Sequence, residues 1–112
     1  MSIKPVRWLG DSHERIREFP HDARREAGYQ LERVQAGMEP VDRKPMPSVE
    51  LGVSEIRVRD STGAYRVIYV AKFSEAVYVI HAFQKKARKT PRPDIDLAGK
   101  RFRDLIQERK RR

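Results

Sequence analysis

Residues 55–84 read EIRVRDSTGAYRVIYVAKFSEAVYVIHAFQ, and the way this stretch divides decides the fold. EIRVRD alternates apolar and charged residues, DSTG is a turn sequence, and AYRVIYVAKF and AVYVIHAFQ are rich in β-branched and aromatic residues on either side of Ser74-Glu75. That punctuation predicts three antiparallel strands in a meander. With Ser74-Glu75 as a two-residue turn, Phe73 faces Ala76, Ile68 faces His81 and Arg66 faces Phe83. With DSTG as the other turn, Arg57 faces Arg66, although a one-residue bulge would shift either set.

This register sorts the side chains onto two faces. Ile56, Val58, Tyr65, Val67, Tyr69, Ala71, Phe73, Tyr78, Ile80 and Ala82 form an apolar surface for helices to cover. The other face carries Glu55, Arg57, Arg59, Arg66, Lys72 and His81 among Ile68, Val70, Val77, Val79 and Phe83.

Upstream, Ile3 to Leu9 suits a short strand, with Pro5 placing it at a sheet edge or a strand start. Asp11 followed by Glu14 is a capping-box pattern for a helix from Ser12 to Phe19. After Pro20, Ala23, Ala27, Leu31, Val34 and Met38 line one face of a second helix ending near Gly37. Residues 39–54, with three prolines and a glycine, read as a loop. Downstream of Pro91 and Pro93, Asp94 and Asp96 favour the start of a third helix, with Ile95, Ala98, Phe102, Leu105 and Ile106 on one face. The expected architecture is one α+β domain over residues 1–112, two N-terminal helices packed on a twisted antiparallel sheet, with a C-terminal helix.

The chain of 112 residues has no cysteine, which excludes disulfides and thiolate metal sites. Its apolar runs are too short for a membrane span and its first residues lack a signal-peptide pattern, so a cytoplasmic protein with no membrane partner is expected. The formal charge is +9, which suits a polyanionic partner. Residues 1–80 hold 13 Lys/Arg against 12 Asp/Glu, whereas residues 81–112 hold 12 against 4. The excess therefore lies in the last third, beginning where the strand ending at Phe83 runs into Lys85, Lys86, Arg88, Lys89 and Arg92.

Two arginines facing each other across a strand pair repel, so something must offset Arg57 against Arg66. Either Glu55 or a helix-borne acid neutralises them on a solvated face, or the missing counter-charge is a bound phosphate, whose shape suits the guanidinium fork. Position favours the phosphate, since Lys85 and Lys86 leave the strand beside this face and complete an anion pocket. On this reading, removing Arg66 relieves repulsion and leaves the fold intact. His81 is either a packed core histidine or a titrating catalyst. The three histidines show no zinc spacing, no metal or other cofactor is expected, and glycine-rich and serine-nucleophile signatures are absent.

The segment VSEIRVRDSTGAYRVIYVAKFSEAVYVIHAFQKKARKTPRPDIDLAGKRFRDL resembles the phage-derived HigB-like branch of the RelE/ParE toxin superfamily. The shared features are an E-hydrophobic-R strand, a G-x-[YF]-R-hydrophobic strand, a terminal F-x-K-K-x-x-x-K-T-P run, and a helix with acidic residues before A-x-x-R. The resemblance implies a RelE-like fold and the toxin of a type II toxin-antitoxin pair. Its partners would be a helix-turn-helix antitoxin, the ribosome and messenger RNA, which RelE and HigB relatives cut without a metal. ParE relatives share the fold but inhibit DNA gyrase, and a non-catalytic basic nucleic-acid-binding protein is a further alternative.

By the same resemblance, Arg57, Arg66 and Lys86, or Lys85 by a one-position shift, match basic positions of RelE-type sites. Glu55 stands where RelE has a lysine, and the last helix lacks the tyrosine that assists catalysis there. Metal-free cleavage needs the 2′-hydroxyl deprotonated, charge on phosphorus stabilised and the 5′-oxygen protonated. Arg57 and Arg66 suit the second task. Lys85 or Lys86 suits the first, because neighbouring cations and burial depress a lysine pKa; Glu55 and His81 are also candidates. Arg59, Lys89, Arg92, Arg109 and Lys110 are expected to hold RNA phosphates rather than take part in chemistry.

Overall fold

The computed structural model describes residues 3–112. In chain order the elements are β1 (Val6–Trp8), α1 (Ser12–Arg17), α2 (His21–Gln35), β2 (Arg43–Pro45), β3 (Val53–Asp60), β4 (Gly63–Val70), β5 (Val77–Lys85) and α3 (Arg92–Lys110). The sheet order is β1-β5-β4-β3-β2. The meander β2-β3-β4-β5 is antiparallel, but β1 pairs parallel with β5, so the sheet is mixed rather than wholly antiparallel. A parallel neighbour requires a crossover; α1 to β4 supply it, a long-range connection that periodicity in β1 cannot announce.

Local chemistry accounts for most elements and for their differences from expectation. Asp11 occupies the cap position of α1, yet its carboxylate makes no cap hydrogen bond. It binds Arg101 Nη2 at 2.6 Å and Arg15 Nε at 2.9 Å instead, since charged donors hold a carboxylate more strongly than a backbone amide. Ala23, Ala27, Leu31 and Val34 form the buried stripe of α2. Met38 does not join it: the helix ends at Gln35, Gly37 adopts φ 83°, and Met38 is 50% exposed. Within the expected loop, Arg43–Pro45 adds a short strand to the sheet edge, where proline is tolerated, and Met46 anchors it in the core.

The β3–β4 register is the expected one, with Arg57 opposite Arg66. Between β4 and β5 it holds for Arg66 with Phe83 and for Ile68 with His81, then slips, so that Tyr69 faces Val79 and Val70 faces Tyr78. Ile80 is the extra residue of a bulge. Past it, every side chain changes side. Val77 and Val79 join the core beneath α1 and α2, whereas Tyr78 and Ile80 join the opposite core with Phe73. The Phe73–Ala76 pairing is absent from the ladder.

That opposite core is closed by α3. Ala98, Phe102 and Leu105 are buried against Ile68, Val70, Tyr78 and Ile80. Arg101 fixes the helix along β5 through Ile80 O (3.0 Å) and Asp11. Both faces of the sheet are therefore covered, and the polar face left over is confined to the corner where β5 ends and α3 begins.

Candidate functional site

At that corner four strands present one row of charge. Lys44 of β2 faces Glu55, Arg57 faces Arg66, and Lys85 lies opposite Ala64 at the end of β5. Alternation along β5 puts His81, Phe83 and Lys85 on the same side as Arg66.

The two arginines fare differently. Arg66 is 3% exposed; its Nε lies 3.5 Å from Glu55 Oε1 and its Nη1 donates to Tyr65 O at 3.0 Å. The Nε makes no hydrogen bond despite that ion pair. Burial lowers the Arg66 pKa, and Glu55 opposes the shift. Glu55 is thus the ionic partner of Arg66. Arg57, half-buried, makes no ion pair with any described carboxylate.

Beside this pair opens a pocket of about 340 Å³, lined among others by Lys44, Glu55, Lys85, Arg88, Lys89 and Ile95. Glu55 is 3% exposed and its Oε2 has no hydrogen-bond partner. Lys85 is held below the ordinary lysine pKa, first by burial and then by Arg66; Glu55 opposes the shift, and Arg57 and Lys44 add to it. Lys86 lies past the strand end, is exposed, and does not line the pocket. Lys44 and Arg88 complete the lining. Arg88 belongs to the cation run after β5; Lys44 gave no signal, because its strand lies in a proline-rich stretch that reads as loop.

His81 is 2% exposed, with Nε2 2.7 Å from Asp94 Oδ1 and its ring stacked on Phe83. Its Nδ1 has no partner, and burial outweighs Asp94 to lower its pKa. The pair ties the first turn of α3 to β5.

The expected docking cations divide. Arg59 and Lys89 are exposed, and Arg92 is exposed but paired with Asp96 at 3.0 Å. Arg109 is engaged within the fold: it holds Glu75 through Nε (2.8 Å) and Nη2 (3.1 Å) and lies 3.8 Å from the Phe73 ring centroid. Arg112 joins it on Tyr78 and Glu108, while Lys110 is exposed. This network sits at the start of β5, the end of the sheet away from Lys85.

A hollow of about 360 Å³ lies near the end of α2. The Lys4 ammonium there is taken up by the carbonyls of Ala71 and Phe73, and burial pushes the Tyr69 phenol up to about 12. Among the described residues no cluster of three His, Asp or Glu is placed to hold a metal, and no helix is long and apolar enough to cross a membrane.

A family model described as "Phage derived protein Gp49-like (DUF891)" matches residues 14–103, from α1 through most of α3. No curated protein matches the chain.

Proposed function

This chain belongs to the phage-derived Gp49-like family, and from that premise we propose that it is the toxin of a toxin-antitoxin pair, a metal-independent endoribonuclease cutting messenger RNA held on the ribosome. The observation that carries this reading is Lys85, a lysine of depressed pKa at a strand end, in a pocket rimmed by Lys44, Arg88 and Lys89. A lysine whose pKa is lowered in a cleft is a candidate general base, and the resemblance to RelE and HigB toxins supplies the substrate class.

In this mechanism the neutral Lys85 amine takes the proton of a 2′-hydroxyl. The oxygen attacks the adjacent phosphorus, forming a 2′,3′-cyclic phosphate, and the 5′-oxygen leaves with a proton from a rim ammonium. The rim cations Arg88 and Lys89 stabilise charge on the phosphoryl oxygens, whereas Arg57 lies outside the pocket lining. Arg66 does not line the pocket and acts by holding Glu55, which does. His81, sealed against Asp94 and Phe83, holds α3 in place. The ribosome contributes by setting the RNA in line for attack.

The test is single-turnover cleavage of messenger RNA on translating ribosomes by the purified protein, with EDTA added and ribosome integrity checked. Cleavage on ribosomes, little on free RNA, and growth arrest on induction without a helix-turn-helix antitoxin are expected. Intact transcripts with trapped gyrase-DNA complexes would replace this reading with gyrase inhibition.

A further inference from the structure

The pocket at the end of β5 makes two opposite demands on a ligand. Its rim, Lys44, Lys85, Arg88 and Lys89, attracts anions. Its buried wall is a carboxylate, Glu55, whose Oε2 lacks any hydrogen-bond partner. Among the described residues, Arg66 is the one cation paired with that carboxylate, on its Oε1 side. A bare phosphate pushed against Glu55 would be repelled by it, and a cationic side chain would be repelled at the rim. Pro45, Met46, Pro47 and Ile95 line the space with apolar surface suited to a flat ring.

A ligand that is anionic at one end and presents N–H donors at the other is a nucleotide, and the bases differ at the edge they would offer. Guanine carries two adjacent donors, N1–H and the 2-amino group, matching the two oxygens of a carboxylate. Adenine and cytosine each set a ring-nitrogen acceptor beside their amino group, and uracil flanks its single N–H with two carbonyl oxygens. Each of these three would bring a lone pair against Glu55. Single-stranded RNA offers this edge freely.

We propose that this pocket reads guanine in the RNA substrate, with N1–H donating to Glu55 Oε2, the 2-amino group directed to Oε1, and the phosphate on the Arg88 and Lys89 side. Glu55 is then a specificity residue for the reaction assigned to Lys85, and the assignment rests on that reading for RNA as the natural ligand. Arg66 positions it through the ion pair of its Nε with Glu55 Oε1.

The experiment is titration of the full wild-type chain with guanosine, inosine, adenosine, cytidine and uridine 5′-monophosphates, followed by amide NMR shifts. The guanosine nucleotide should bind about tenfold or more tightly than the adenosine nucleotide, as expected for donors to a charged acceptor. Inosine, which keeps N1–H but lacks the 2-amino group, should fall between, with shifts centred on Lys85 and Ile95. Equal binding of all five, or matching affinity for inorganic phosphate, would overturn the assignment. Glu55→Gln should bring the guanosine-to-adenosine ratio close to one, and a retained ratio in the folded variant would also overturn it. Mapped cleavage sites without guanine enrichment would reject base reading while leaving the nuclease intact. Guanine-selective binding by a protein that cuts no RNA would reject the nuclease and leave the base pocket standing.

Discussion

Arg66 Nε and Glu55 Oε1 face each other at 3.5 Å with both side chains almost wholly shielded from water. This pair reverses the stability effect that the facing arginines suggest. Arg66→Ala removes a repulsion with Arg57 but leaves the Glu55 charge buried alone, so the variant should lose about 3–5 kcal/mol. The double change Glu55→Leu with Arg66→Met should recover most of that loss. Urea denaturation midpoints measure both, and an unchanged or raised midpoint for Arg66→Ala would show that the repulsion dominates.

Lys85 and Lys86 adjoin in sequence but only Lys85 lines the pocket. Lys85→Ala should lower the saturated single-turnover cleavage rate by about 10²–10⁴-fold, the range of a general base. Lys86→Ala should change it only a few-fold. The wild-type rate should rise with pH as the Lys85 ammonium loses its proton, with an inflection below the ordinary lysine value of 10.5. A Lys85→Ala variant as fast as the parent contradicts the assignment.

His81 serves the fold, which gives it a pH signature of its own. Because burial lowers its folded pKa below 6.5, the unfolded chain binds the proton first on acidification. Its contribution to stability is therefore full above about pH 6.5 and declines as pH falls through the folded value. His81→Gln should spare the saturated cleavage rate while weakening stability by about 1–3 kcal/mol. Loss of cleavage in a stably folded His81→Gln protein would return His81 to the chemistry.

Acid should also loosen the middle and the C-terminal end of α3. Glu75, held by Arg109, and Asp11, held by Arg101 and Arg15, are each lowered to about 2. Depressed carboxylates stabilise the fold above their ordinary values of 4.5 and 3.8, and that contribution disappears as pH falls through about 2. Glu75→Gln and Asp11→Asn should flatten the acid limb of a thermal melting profile. At neutral pH, Arg109→Ala should lower the melting temperature and Lys110→Ala should not, because only Arg109 is tied to Glu75 and Phe73. Equal effects of the two would mean that the Arg109 network contributes nothing.

The sequence by itself determined the α+β composition, the three long strands, the stripe of α2, the apolar face of α3 and the pairing of Arg57 with Arg66. Each rests on a period or a turn written in consecutive residues. It also located the cationic corner, since Lys85, Arg88 and Lys89 follow one another along the chain. Tertiary structure alone decided the rest. The bulge at Ile80 leaves no mark in AVYVIHAFQ, because the apolar and aromatic run Val77 to Ile80 suits either face. The parallel docking of β1, the strand at Arg43–Pro45 and the placing of Lys44 beside Glu55 are contacts between residues far apart in sequence. Whether a charge is a ligand group or a structural one likewise depends on what packs over it. Arg66 and Arg57 look alike in the sequence, but burial makes one the partner of Glu55 and leaves the other half-exposed.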